Sequence, residues 1–286
     1  MTSKFHGLSS LYCAVFLLSL NGLFAKLIPL DATSITQLRS AVAIGGFLFF
    51  SLPRKRSLRL HNFRQYSGVY LLGIVLGLHW TTFFHAMQVS TVAVGMLALF
   101  SFPIITILLE PFFAKTKLRQ RDVLAGFSVL IGIAIMVSGD LSDVNGPVFQ
   151  GVFWGVLSAI LFSLRNLTQK YYFSQLSSDS LMFHQVVAVS AMLFPFLDFT
   201  GTARLTSMNL LALMLLGLLS TATAHTLLTY SLKLLQAKSV ALIGCLQPLI
   251  ASILAWVVMQ EVPQLTVVVG GGIIVSVAMY ESRQKH

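Results

Sequence analysis

The chain has 286 residues, 56% of them hydrophobic and only 10% charged, with a mean hydropathy of +0.83. An ordinary soluble domain carries about 25% charged residues, so soluble enzymes and nucleic-acid-binding domains are excluded. The formal charge of +10 must then reflect membrane topology.

The first apolar run, 8–28, follows Lys4 and has no small-residue cleavage site, so it is expected to be retained as a helix. Further runs follow at 34–52, 66–87, 92–113 and 122–139, and then at 149–168, 181–199, 209–230, 239–259 and 264–281. All are long enough for helices, at about 20 residues per crossing. Open sheet edges do not survive in lipid. The reading is an all-α integral membrane protein of ten transmembrane helices, with nothing left over for a soluble domain. Cys13 and Cys245 both fall inside apolar runs, which argues against a disulfide framework.

Loop charge sets the orientation. One side receives Lys4, Arg54, Lys55, Arg56, Arg59, Arg64, Lys115, Lys117, Arg119, Arg121, Lys170, Lys233, Lys238, Arg283 and Lys285, and the other receives Arg204 alone. The positive-inside rule therefore predicts both termini in the cytoplasm of a multi-pass protein of the plasma (inner) membrane.

Residues 8–110 and 153–255 align at a constant spacing of 145. Asn21 meets Asn166, Arg39 meets His184, Trp80 meets His225 and Pro103 meets Pro248, and the same spacing carries Gly126 onto Gly271. Five spans per half is an odd number, so the halves 1–145 and 146–286 are expected to be inverted copies. Transporters that rock two repeats around a midplane site have this layout.

Pro248 with Glu261 thirteen positions on and Gly271 in the last span, echoed by Pro103, Thr116 and Gly126 in the first half, resembles the drug/metabolite transporter superfamily and specifically its EamA-type permeases. Family members usually carry an acidic residue where this chain has Thr116, a departure in the first copy. Arg39 matches a basic position common in that family. The resemblance covers essentially the whole chain and implies a transporter.

Charge inside a bilayer costs about 2.5–3.5 kcal/mol on insertion scales, so polar residues within spans are candidates for a site. Lys26 and Arg39 lie near the outer ends of their spans, and either could snorkel or pair with Asp31. Arg39 is expected to face the cavity and bind an anionic group. Arg165, Asn166, Lys170 and His184 lie toward the inner ends of theirs, where anchoring explains Lys170 equally well. Asn21, His79, Trp80 and Gln247 sit deeper and need partners inside the bundle. In the third span, Thr81 and His85 share one helix face while Trp80 and Phe84 share the adjacent one. Trp80 and Phe83 are expected to form an apolar platform, with Trp80 packed on one side only. His85 and His225 are placed on the outer and inner routes to it, and Tyr230 is the symmetric partner region of His85. Pro103 and Pro248 fall near the centres of their spans as expected helix breaks, each removing an amide donor.

No acidic residue lies at mid-depth, and there is no phosphate loop, metal-ligand spacing or nucleophile with a base. The interior is cationic and aromatic. It suits a small carboxylate-bearing or amphipathic metabolite, an amino acid or organic anion, meeting Arg or Lys at one end and an aromatic ring at the other. No cofactor or metal is expected. The expected partners are a small-molecule substrate and the bilayer, not nucleic acid, with a homodimer formed through the Gly-bearing fifth and tenth spans. A histidine-dependent membrane enzyme is the first competing reading. His79 and His85 stand about 240° apart around a helix and form no chelating pair. A non-transporting interaction protein is the second.

Overall fold

The computed structural model describes residues 2–51, 58–115, 120–136, 138, 146–235, 240, 243–244 and 246–283. Among them all regular structure is helical: α1 (Thr2–Ser19), α2 (Asn21–Leu27), α3 (Ala32–Ser51), α4 (Phe63–Val89), α5 (Val92–Leu99), α6 (Phe102–Ala114) and α7 (Gln120–Met136) in the first half. The second half has α8 (Pro147–Tyr172), α9 (Ser178–Leu193), α10 (Phe199–Ala203), α11 (Ser207–Leu215), a π-helical segment Leu216–Thr223, α12 (Ala224–Leu234), α13 (Leu246–Met259) and α14 (Leu265–Arg283). Without water to satisfy backbone amides, helices keep every such bond inside the segment.

Among the described residues, six stretches are long and apolar enough to cross a bilayer: Phe5–Leu27, Phe63–Val89, Val92–Ala114, Pro147–Tyr172, Ser178–Phe196 and Ser207–Leu234. Val123–Ile135, Ile250–Met259 and Leu265–Val277 are shorter apolar helices. Large apolar side chains such as Phe112, Leu130 and Trp256 are exposed on the outer surface, where lipid would meet them.

Polar residues start the helices. Asp31 Oδ2 accepts the amides of Thr33 and Ser34 at the head of α3, so it caps that helix instead of pairing with Lys26 or Arg39. Asn62 and Thr91 do the same for α4 and α5, through the amides of Gln65 and Val94. Three irregularities interrupt the spans. The first span kinks at Leu20, immediately before Asn21. The fourth breaks at Phe100–Ser101, with Pro103 in the first turn of α6, where its missing amide leaves no bond unmade. The eighth contains the π segment, where Thr221 and Thr223 hydroxyls donate to the carbonyls of Leu216 and Leu218, five residues back. Pro248 falls within α13, but its side chain lies outside the described residues, as do Cys245 and Thr116.

The pattern of helix neighbours repeats at the 145-residue spacing. α1 packs along α12 as α4 packs along α8, and α3 meets the π segment as α4 meets α9. α6 lies on α8 as α13 lies on α1 and α2, while α3 pairs with α9 and α7 with α14. Each half thus completes its packing against the other. Among the described glycines the closest approach to another backbone is at Gly73, where a Cβ would stand 2.7 Å from the carbonyl oxygen of Gln185. Lys26 Nζ lies 3.5 Å from Glu261 Oε1, so α14 sets out from the end where α2 stops and runs back to the face from which α1 starts. The described ends, Thr2 and Arg283, therefore share one face, the terminal face.

Candidate functional site

A cavity runs between the halves from the middle of the bundle toward the terminal face. It encloses about 900 Å³ of empty space including its mouth, but only about 70 Å³ is open to the centres of water-sized molecules. That is room for a few waters. Its walls come from the first, third and fourth spans of one half and the corresponding sixth, eighth and ninth of the other. Five lining pairs are related by the 145-residue spacing: Asn21 with Asn166, Trp80 with His225, Phe83 with Leu228, Leu99 with Gly244, and Phe102 with Gln247. Residues of α3, α7, α9 and α14 are not among those lining it, which leaves the Gly-bearing α7 and α14 packed on each other at the side.

Most of the wall is apolar, and a few polar groups interrupt it, the usual make-up of a small-molecule pocket. His79 is buried. Its Nδ1 lies 2.7 Å from Ser158 Oγ, and its ring stacks on Phe162 with centroids 4.7 Å apart. The Ser158 hydroxyl also donates to the His79 carbonyl at 3.0 Å, which clamps α4 to α8. Asn21 Oδ1 and His225 Nδ1 are buried without a hydrogen-bond partner among the described residues. Asn166 Oδ1 accepts from Arg165 Nη1 at 2.9 Å. Ser19 donates to the main-chain carbonyl of Gln247, joining the kinked first span to α13.

Two guanidinium groups lie fully buried beside this cavity, Arg39 against Trp80 and Arg165 against Asn166, both of which line it. Arg165 has a partner at each nitrogen: Nε donates to Gln185 Oε1 at 2.8 Å, Nη1 to Asn166 and Nη2 to Met182 Sδ at 3.0 Å. Arg39 does not. Its Nε donates to Thr221 Oγ1 at 2.7 Å, while Nη1 and Nη2 have no partner among the described residues. Its Cζ sits 4.5 Å from the Trp80 ring centre and 5.0 Å from that of Phe84, the two residues expected to share a helix face. Such cation–π contacts contribute about 2 kcal/mol when desolvated. They offset part of the intramembrane charge cost and leave the hydrogen-bonding demand unmet.

Of the expected site residues, Asn21, His79, Trp80, Phe83, Asn166, His225 and Gln247 line the cavity. Lys26, Arg39, His85, Arg165, His184 and Tyr230 lie outside its wall. Arg39 was expected to face the cavity; instead Trp80, which does line it, covers the guanidinium. Trp80 was expected to pack on one side only, and this too is corrected: it is 1% exposed and packs with Ala43, Phe47, Leu76, Met182 and Val186. It is core and wall at once. His85 meets Trp154 edge-on at 5.2 Å, and Tyr230 is exposed at the surface. His184 Nε2 lies 2.9 Å from the Leu58 carbonyl.

Ion pairs hold each end of the bundle, and each joins one half to the other. At the far face, Lys26 pairs with Glu261 and donates to the Ser90 carbonyl, while Glu261 Oε2 accepts the Val92 amide at the head of α5. Toward the terminal face, Lys170 at the cavity rim lies 2.7 Å from Glu110, which also accepts from the Tyr171 hydroxyl at 2.8 Å. Sequence reasoning missed Glu261, Ser158 and Thr221 as partners. Glu261 was read as a mark of the family resemblance and given no partner, and a Ser or Thr within an apolar helix carries no signal of its own.

The sequence model of the EamA-like transporter family matches residues 6–138 and again residues 149–280. A relative from Bacillus subtilis (strain 168), described as an uncharacterized transporter YxxF, is 26% identical over 188 residues. That match covers 64% of this chain and 58% of the relative's length. A protein of known crystal structure is similar in fold with a TM-score of 0.66 at 16% identity, over 97% of this chain and 95% of the other.

Proposed function

The chain belongs to the EamA-like transporter family, and on that premise we propose that it is a secondary-active transporter of a small organic metabolite, working by alternating access between two inverted halves. In this reading the chain crosses the plasma (inner) membrane ten times, with both termini in the cytoplasm, so that the cavity mouth faces the cytoplasm. The fifteen-to-one division of loop cations supports the orientation.

The observation that carries the proposal is the shared cavity. Three spans from each half wall it at matched positions, and side chains that differ between the halves make one asymmetric pocket from a symmetric frame. Its room for a few waters means that the halves must separate to admit a metabolite. The interhalf ion pairs lie at opposite ends of the bundle, where such separation would break one and spare the other. Two buried guanidinium groups and no carboxylate among the cavity-lining residues favour a cargo with a carboxylate, either an amino acid or an organic anion. The aromatic wall of Trp80, Phe83 and Phe162 suits the apolar remainder.

The test is solute counterflow. Purified protein in liposomes loaded with an unlabelled amino acid or small carboxylate is expected to accumulate the labelled solute transiently, for at least one solute that also raises the protein's melting temperature in a metabolite screen. A solute that stabilises the protein at millimolar concentration yet shows no counterflow would refute the transport reading in favour of a binding protein.

A further inference from the structure

We propose that Arg39 is the seat of a bound anion, in a site that the Trp80 indole separates from the central cavity. This deepens the transport reading by giving the anionic end of a cargo its place, although the seat itself is defined by geometry alone. The guanidinium is fully buried, Nη1 and Nη2 lack partners among the described residues, and a single neutral hydroxyl, Thr221 Oγ1, engages Nε. Four acids among the described residues are occupied elsewhere. Glu110 holds Lys170, Glu261 holds Lys26, and Asp31 and Asp198 cap helices. Arg165 supplies the contrast within the same bundle, since each of its three nitrogens has a partner.

A charged group held out of water keeps its charge only against a counter-charge or a full set of acceptors. Two parallel N–H edges on one plane match the two oxygens of a carboxylate, whereas a small inorganic anion would sit between them as a point charge. The position relative to the cavity adds a second element. Trp80 lines the cavity and covers Arg39, its own ring meeting His225 at 5.0 Å, so a shift of the indole would connect seat and cavity. The π segment lies against the same spot: Thr221 belongs to it, and a Cβ at Gly217 would stand 3.0 Å from the Arg39 carbonyl. Such segments break helical regularity most often at functional sites.

The experiment uses iodide, which is both an anion and a quencher of indole fluorescence, on the full-length protein in detergent. Trp154→Phe with Trp256→Phe leaves Trp80 as the one tryptophan. Iodide is expected to quench it with a saturable phase, acetate to remove that phase, and neutral acrylamide to show no such phase. Arg39→Gln is expected to abolish it. Displacement by acetate but not by equal chloride assigns a carboxylate to the seat, and the reverse assigns an inorganic anion. Purely linear iodide quenching that acetate leaves unchanged overturns the proposal, and it does so even if Arg39→Gln fails to fold. Because the readout is binding, an absence of counterflow with the saturable phase intact would count against transport and leave the seat standing.

Discussion

Replacing Glu261 with alanine removes two bonds that join the halves at the far face. Glu261 Oε2 accepts the first amide of α5 at 2.9 Å, and Oε1 lies 3.5 Å from Lys26 Nζ, with both side chains 22% exposed. A hydrogen bond to a charged group contributes about 1.5–3 kcal/mol, and a carboxylate at a helix N-terminus gains about 0.3–1 kcal/mol from the helix dipole. A partly exposed ion pair adds about 0.2–1 kcal/mol. Thr91 still caps the Val94 amide, and Lys26 keeps its bond to the Ser90 carbonyl, so part of the end survives. The expected loss for Glu261→Ala is about 2–3 kcal/mol, and about 1 kcal/mol for Glu261→Gln, which retains an acceptor for Val92. A double-mutant cycle with Lys26→Ala should isolate a coupling of about 0.5–1 kcal/mol. The assay is reversible unfolding by sodium dodecyl sulfate in mixed micelles, followed by circular dichroism. Equal losses for the alanine and glutamine variants, both under about 0.5 kcal/mol, would refute the reasoning, because the amide bond and the charge would then contribute nothing measurable.

Three further outcomes are expected. Trp80→Ala should lose about 3–5 kcal/mol of stability as a buried aromatic deletion, and thermal unfolding in detergent checks it; a loss under about 1 kcal/mol would return Trp80 to the role of a one-sided wall. Gly73→Ala should cost about 1–3 kcal/mol because its Cβ meets the Gln185 backbone. Gly45→Ala, with nothing within 4 Å, should be neutral or gain about 0.5–1 kcal/mol, so similar melting shifts for the two would discredit the close approach. Hydrogen–deuterium exchange should rise around Ser90–Val92 and Glu261 in Lys26→Ala, and around Lys170–Phe173 in Glu110→Ala; one end responding to both variants would show that the two contacts are not separate.

The helices were legible because apolar runs of membrane length leave the backbone no alternative, and the spacing of 145 exposed the two halves before any contact was known. The same spacing picked out Asn21, Asn166, Trp80 and His225, all of which line the cavity. Depth along the sequence was a poorer guide to direction around a helix. Arg39, Arg165 and His85 occur at plausible depths, yet their helices turn them toward Thr221, Gln185 and Trp154 and not into the cavity. The kink at Leu20 and the π segment left no mark, because neither contains proline. Asp31 and Glu261 show how nearness in sequence misleads: the nearer acid caps its own helix, and the one 235 positions from Lys26 makes the ion pair.

The interlacing of the halves has a consequence for how the protein is made. Thr221, the partner of Arg39, comes 182 residues later in the chain, and the π segment that carries it packs on α3 only after the eighth span is built. At about 5–20 residues per second, synthesis leaves the Arg39 side chain waiting roughly 10–40 seconds for that hydroxyl. Through that interval the nascent first half holds a guanidinium that acyl chains cannot satisfy. The second span must therefore stay near the insertion machinery, or draw its cation to a headgroup, until the opposite half arrives to enclose it.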